Sequence, residues 1–263
     1  MPRVLLPGLI LTLCAARGAD LQSAVDRAMA GKPGVAIVAD VATGRVLAGY
    51  RLERAGNLIA APGSTLKPFT LAAWMEQHGG ATPPARACPR QLRLGGRRLD
   101  CTHPVLAMAL GPPEALSYSC NCYFAHLGLD LKPADFARNL RRIAAQVSIA
   151  ATPEELELQA IGEWGIEVTP MEMLQAYRRL ARDSKPAAIV EGLQGAVDFG
   201  SAQLAAAPGV RVAGKTGTGM HHAWFAGFIE SAVVVVFLEQ GRGGSDAAPV
   251  AGEIFRALGQ ASR

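Results

Sequence analysis

Ser64 and Lys67 stand three residues apart in the stretch Ala61-Pro62-Gly63-Ser64-Thr65-Leu66-Lys67-Pro68-Phe69-Thr70. Pro62 and Gly63 read as a turn, and the apolar run from Phe69 to Met75 has helical character. Near a helix start, positions i and i+3 face the same way, so the hydroxyl and the amine can meet. A serine hydroxyl becomes a nucleophile when a base takes its proton, and a neutral lysine can be that base. Lysine is ordinarily charged, so such a site must desolvate it or set a second cation beside it. The four-letter pattern is weak alone, because a serine cap followed by an unrelated lysine looks the same. Two later clusters change its weight: Ser119-Cys120-Asn121, and Lys215-Thr216-Gly217-Thr218-Gly219 at the end of a strand-like run from Val210.

Other reactive side chains carry less. Cys88 and Cys101 flank Leu94-Gly95-Gly96, a hairpin turn that brings two antiparallel strands together, so this pair is expected to form a disulfide. Cys120, Cys122 and His126 make a Cys-x-Cys-x-x-x-His spacing. A zinc site usually has four ligands in paired spacing, and neither a second cluster nor more than an isolated His103 is visible, so no metal is expected. Cys122 reads as a buried, inert thiol and His221 and His222 as exposed hairpin residues. Gly209 to Thr216 fits the phosphate-loop pattern Gly-x₄-Gly-Lys-Thr. That motif needs a strand, a loop and a helix, whereas strand-like sequence surrounds this one, so a nucleotide site is set aside.

The elements that must position these groups follow from patterning. Arg3, the apolar run Val4 to Cys14 and the small residues Ala15, Ala16, Gly18 and Ala19 have the layout of a secretory signal peptide, residues 1–19. The run is short for a membrane span, and Leu13 is bulky where a lipoprotein box before Cys14 needs a small residue. The protein is thus expected to be exported, to the periplasm or another extracytoplasmic space. Residues 20–263 suffice for one large domain, half of the chain is hydrophobic, and the formal charge is only +4. The basic patch of Arg86, Arg90, Arg93, Arg97 and Arg98 has no interleaved aromatic residues, so it reads as a solvated hairpin and not a nucleic-acid surface.

Leu21–Ala30 reads as a helix, and Val35–Val41 and Val46–Tyr50 read as a hairpin. From Ala81 to Leu204 the chain is mostly helical apart from the basic hairpin, with a sharp start at Thr169-Pro170-Met171-Glu172. Val210–Thr216, Ala223–Phe228 and Ala232–Leu238 read as strands and Val250–Leu258 as a closing helix. The order predicts an α+β fold: an antiparallel sheet from both chain ends (about 20–63 and 206–263) with an inserted, mainly helical lobe (about 64–205).

Ser-x-x-Lys, Ser-x-Asn and Lys-Thr-Gly, in that order, match the three-part signature of the penicillin-interacting serine acyltransferases. From Gly34 to Leu258 the chain resembles the transpeptidase domain of class B penicillin-binding proteins. Pro62 to Thr70, Ser119 to Phe124, Thr169 to Tyr177, Glu191-Gly192-Leu193, Val212 to Gly219 and Ala223 to Phe228 carry the likeness. It implies that Ser64 attacks a D-Ala-D-Ala peptide of peptidoglycan or a β-lactam and becomes acylated, with Lys67 as base. Ser119, helped by Lys215, relays a proton to the leaving amine, and Asn121 binds the substrate peptide and orients Lys67. Lys215, Thr216 and Thr218 receive the terminal carboxylate, and Gly217 lets the strand approach closely. The N–H groups of Ser64 and Thr218 form the oxyanion hole.

The resemblance implies no cofactor. Stem peptides and β-lactams are the expected ligands, and protein partners stay unspecified. The expected activity is that of a serine D,D-transpeptidase, with a D,D-carboxypeptidase as the alternative outcome of the same acyl-enzyme. A class D-like β-lactamase is disfavoured by Asn121 and by the lack of a Tyr-Gly-Asn element. A non-catalytic penicillin-binding sensor is disfavoured by the intact catalytic positions.

Overall fold

The computed structural model describes residues 20–183 and 186–261, so the signal-peptide reading of 1–19 lies outside the described residues. Helix α1 (20–29) leads into strands β1 (Gly34–Asp40) and β2 (Val46–Tyr50). Helix α2 (Lys67–Gln77) and the hairpin β3 (Arg93–Leu94) and β4 (Arg97–Arg98) follow. Then come α3 (Pro112–Ser117), α4 (Asn121–Leu129) and α5 (Pro133–Leu140), the short strand β5 (Gln146–Val147), and α6 (Pro153–Ala160). Strand β6 (Ile166–Glu167) pairs with β5, and α7 (Pro170–Arg182) and α8 (Ala187–Asp198) complete the helical lobe. The chain returns through β7 (Ala213–Thr218), β8 (Ala223–Phe228) and β9 (Ala232–Leu238) to α9 (Ala248–Ala261).

The main sheet runs β2-β1-β9-β8-β7 with every neighbour antiparallel, so both chain ends build it, as the α+β reading predicts. Burial on both faces explains why β9, Ala-Val-Val-Val-Val-Phe-Leu, shows no polar alternation. One face packs Val234 and Val236 against Val25, Met29, Ile254 and Phe255 of α1 and α9. The other packs Val233 and Val235 with Met173, Leu174 and Tyr177 of α7, continuous with the core of the helical lobe.

The start of α7 is as sharp as its sequence predicts. Thr169 Oγ1 accepts from Glu172 N at 3.1 Å, and Glu172 Oε2 accepts from Thr169 N at 2.8 Å, a capping box of the kind that contributes about 1 kcal/mol. Strand β7 begins at Ala213 and not at Val210, because Val210 N–H closes a turn onto Ala207 O. The segment expected to be helical apart from the basic hairpin also holds the β5–β6 ribbon. Among the described residues no helix is long and apolar enough to cross a membrane.

Candidate active site

Ser64 sits in a 3₁₀ turn, Gly63–Leu66, that runs directly into α2. Gly63 has φ +52°, and a Cβ there would lie 3.0 Å from Thr218 O, so the turn presses on the end of β7. Four bonds hold it. Gly63 N–H donates to Gly162 O at 3.0 Å, Thr65 Oγ1 donates to Pro62 O at 2.7 Å, the buried Tyr177 hydroxyl donates to Thr65 O at 2.9 Å, and Trp224 Nε1 donates to Ala61 O at 3.0 Å. His222 Nε2 also lies 2.8 Å from Ala61 O. His221 is exposed as expected, but half-buried His222 is a prop for the Ser64 turn.

The second motif is built by a helix end. Helix α3 closes in a Schellman motif, with Cys120 N–H on Ala115 O at 2.9 Å and Ser119 N–H on Leu116 O at 3.2 Å. Ser119 occupies its left-handed position, φ +55°, where glycine is usual. This strained residue turns towards Lys67, whose Nζ lies 2.8 Å from Ser119 O, 3.2 Å from Ser119 Oγ and 2.5 Å from Asn121 Oδ1. Asn121 Nδ2 in turn donates to Leu99 O at 2.9 Å. Lys67 is wholly buried, and burial lowers its pKa to about 8, against the opposing pull of the nearby Cys120 and Cys101.

Two expected pairings differ. The Ser64 hydroxyl is not among the hydrogen-bond partners of Lys67, although both groups belong to the same i, i+3 turn. The lysine is tied across to the second motif, whose Ser119 O, Ser119 Oγ and Asn121 Oδ1 take the three donors an ammonium has. Lys215 does not bond Ser119 either. Its Nζ donates to Thr216 O at 3.1 Å and to Ser201 Oγ at 3.4 Å, because its side chain turns towards the segment that leaves α8. Burial first, and then the charge of Lys67, hold Lys215 well below the ordinary lysine range.

Thr216 Oγ1 donates to Ser201 Oγ at 3.2 Å, and Thr218 Oγ1 accepts from Gly243 N at 3.0 Å. A Cβ on Gly217 would lie 2.6 Å from Pro62 O, so β7 and the Ser64 turn approach as closely as the motif requires. Ser64, Ser119, Asn121, Thr216 and Thr218 all line one cleft of about 600 Å³, together with Ser201, Glu163 and Arg242. Ser201 is a site residue that sequence reasoning missed, since it stands in no motif. Ser201 N–H donates to Ser117 O at 3.1 Å, which ties it to the same helix end that presents Ser119. The basic hairpin is not simply solvated: Arg98, Leu99 and Asp100 form a wall of the cleft, and Arg97 pairs with Glu163 at 2.8 Å. A nucleophile-bearing turn, a buried lysine of lowered pKa, a hydroxyl beside it and a strand edge carrying a second lysine and two threonines can together perform acyl transfer.

The expected disulfide is absent. Cys88, Cys101, Cys120 and Cys122 are all free thiols, with the Cys88 and Cys101 sulfurs 3.6 Å apart. The hairpin does bring these two together, but the start of α4 delivers Cys120 and Cys122 to the same point. Cys120 Sγ lies 3.3 Å from Cys88 Sγ, and Cys122 Sγ lies 3.5 Å from Cys101 Sγ. The two cysteine pairs, read from sequence as unrelated, form one cluster. His126 is exposed on an adjoining cavity wall.

Solved structures similar to this fold share little sequence with it. The D,D-transpeptidase domain of a peptidoglycan glycosyltransferase from Eggerthella lenta superposes with a TM-score of 0.78 at 21% identity, covering 92% of this chain and 81% of that one. Pseudomonas aeruginosa PBP2 gives 0.75 at 19% identity, over 91% and 74% of the two chains. Penicillin-binding protein A of M. tuberculosis, solved as an imipenem acyl-enzyme, gives 0.72 at 21% identity, over 90% and 78%. No curated protein matches the chain. The profile described as "Penicillin binding protein transpeptidase domain" matches residues 34–258, a span from the first strand of the sheet into the last helix and including all three motifs of the cleft. With most of its length matched in this way, the chain belongs to the penicillin-binding protein transpeptidase-domain family.

Proposed function

We propose that this protein is a serine D,D-transpeptidase that forms an acyl-enzyme on Ser64 from D-Ala-D-Ala stem peptides of peptidoglycan, and that β-lactams acylate the same residue. The observation that carries this reading is Lys67. It is fully buried, its pKa is lowered to about 8, and it is fastened to Ser119 and Asn121 while sharing a turn with Ser64.

Deprotonated Lys67 accepts the proton of Ser64 Oγ as the oxygen attacks the carbonyl. The oxyanion falls to the N–H groups of Ser64 and Thr218, each such donor being worth about 10²–10³ in rate. The proton passes through Ser119 Oγ, 3.2 Å from Lys67 Nζ, to the leaving D-alanine amine. Lys215, Thr216 and Thr218 hold the substrate carboxylate, a reading supported by the lysine and the hydroxyls that β7 brings to this edge. An amine from a second stem peptide then takes the acyl group. Stem peptides lie outside the cytoplasm, which fits export through the N-terminal segment.

Glu163 favours a second outcome. Its carboxylate lines the cleft, and a carboxylate there can activate water to release a trimmed peptide, as in a carboxypeptidase. The guanidinium of Arg97 occupies it at 2.8 Å, which supports transfer to an amine over hydrolysis.

Intact mass after incubation with benzylpenicillin tests the reading. A persistent single adduct on the wild type, absent from Ser64→Ala, is the expected result. An unmodified wild type that destroys the drug points to a hydrolase, and one that neither binds nor destroys it points to a non-catalytic domain. With a pentapeptide substrate, D-alanine release together with a cross-linked dimer separates transpeptidase from carboxypeptidase.

A further inference from the structure

The geometry points to a structural zinc-class cation bound by Cys88, Cys101 and Cys120, with Nε2 of His103 as the fourth ligand, directly behind the Ser119-Cys120-Asn121 motif. The three sulfurs are separated by 3.6 Å, 3.7 Å and 3.3 Å. A tetrahedral zinc with Zn–S bonds of about 2.3 Å sets its ligand sulfurs about 3.8 Å apart. The three sulfurs are thus placed as one face of that tetrahedron.

A backbone N–H reaches each of the three sulfurs. Cys88 Sγ accepts from Arg90 N–H at 3.3 Å, Cys101 Sγ from Cys122 N–H at 3.4 Å, and Cys120 Sγ from Tyr123 N–H at 3.4 Å. Arg90 adopts a left-handed φ of +66° to turn its N–H back in this way. Hydrogen bonds to a thiolate from fixed N–H groups stabilise its charged form and orient it for a metal.

His103 supplies an independent observation. It is buried, and a ring nitrogen lies within 4.8 Å of the three sulfurs. Nδ1 is engaged with the carbonyl of Pro104 at 2.8 Å, while buried Nε2 has no hydrogen-bond partner. A bond from Nδ1–H to a backbone carbonyl selects the tautomer with a free lone pair on Nε2, the usual arrangement of a metal-binding histidine. Cys122 lies outside this set of four: its sulfur turns to Gln91 O at 3.6 Å. A cavity of about 500 Å³ lined by Cys88, Cys120 and Cys122 opens onto the cluster and gives a cation an entry path.

Binding displaces one proton from each of the three thiols, so affinity rises with pH. The site is structural, since four protein ligands leave no open position. Cys120 lies between Ser119 and Asn121, the two residues that hold Lys67. The cation therefore fixes this motif against the segment carrying Cys88 and Cys101.

The test uses the untagged full chain, purified without chelator. Elemental analysis is expected to find one zinc per chain. Cobalt(II) added to the stripped protein should give the intense visible bands of a tetrahedral site and a thiolate-to-metal band in the near ultraviolet. His103→Gln is expected to weaken zinc binding by more than the roughly 10–100-fold that loss of an outer-shell partner costs, whereas Cys122→Ser leaves zinc content unchanged. Metal removal should lower the melting temperature and slow benzylpenicillin acylation together, and added zinc should restore both. Protein without zinc in which Cys88, Cys101, Cys120 and Cys122 all react at once with a thiol reagent overturns the proposal, as does a mass showing two disulfides in the chain as purified. Loss of zinc from Cys122→Ser with retention in His103→Gln overturns the assignment of the fourth ligand.

Discussion

The Asn121 carboxamide bridges two segments of the lobe: its Oδ1 lies 2.5 Å from Lys67 Nζ, and its Nδ2 donates to Leu99 O on the hairpin side of the cleft. Both ends of the amide are spent within the protein, so its orientation is set before substrate arrives. A carboxylate in its place leaves Leu99 O without a donor and sets a charge against Lys67. Such a partner raises a lysine pKa by about 1–3 units. In Asn121→Asp the pH at which acylation reaches half its maximum is therefore expected to move up, with a slower reaction at neutral pH. An unmoved profile in stopped-flow acylation would show that Lys67 is not the titrating base.

The wild-type profile has a predicted sign. Lys67 acts when neutral, and burial lowers its pKa to about 8. Acylation by benzylpenicillin should rise with pH through that value and level off above it, as the unprotonated fraction saturates. A rate that is flat from neutral pH upwards, or that falls, contradicts the assignment of Lys67 as general base.

Ser119 holds a left-handed backbone for the sake of its hydroxyl. Glycine at this Schellman position relieves strain of about 1 kcal/mol. Ser119→Gly should thus melt at a higher temperature than the wild type while acylating about 10²-fold more slowly, the lower range for a lost proton-transfer group. Undiminished acylation in a stabilised variant would remove Ser119 from the proton path.

Ser201 Oγ lies within hydrogen-bond reach of both Lys215 Nζ, at 3.4 Å, and Thr216 Oγ1, at 3.2 Å. Ser201→Ala removes this bridge, leaving each group only a backbone carbonyl, and should weaken drug recognition by up to about tenfold, the scale of one hydrogen bond. The loss should appear in the concentration needed for half-maximal acylation and not in the maximal rate. The reverse split would place Ser201 in the chemical step.

Gly217→Ala tests the closeness of β7 to the nucleophile turn. Its Cβ would lie 2.6 Å from Pro62 O and 3.0 Å from Thr65 Cγ2, so the strand must retreat from Ser64. Overpacking of this kind costs about 1–3 kcal/mol. Acylation should fall far more than chemical-denaturation stability does. Equal small losses in both would show that the gap at this point plays no special part.

The sequence alone determined the parts that depend on neighbours along the chain. The alternation and apolar runs of Gly34–Asp40, Val46–Tyr50, Ala223–Phe228 and Ala232–Leu238 mark strands, Thr169 and Glu172 mark a helix start, and the order of elements implies a sheet closed by both ends. The three motifs announce an acyl-transfer site through their order. Tertiary structure alone decided which groups meet. Lys67 bonds residues more than fifty positions away in place of Ser64, three positions away, because the packing of α2 against α4 brings the acceptors of Ser119 and Asn121 onto its buried amine. Ser201, in no motif, enters the cleft through the bond of its N–H to the end of α3. Cys88 and Cys101 meet as their spacing suggests but as free thiols, and packing of the hairpin against α4 brings Cys120 to the same point. Local periodicity encodes which face of an element is apolar, but not where two faces distant in sequence will come into contact, and both the lysine's partners and the sulfur cluster are contacts of that second kind.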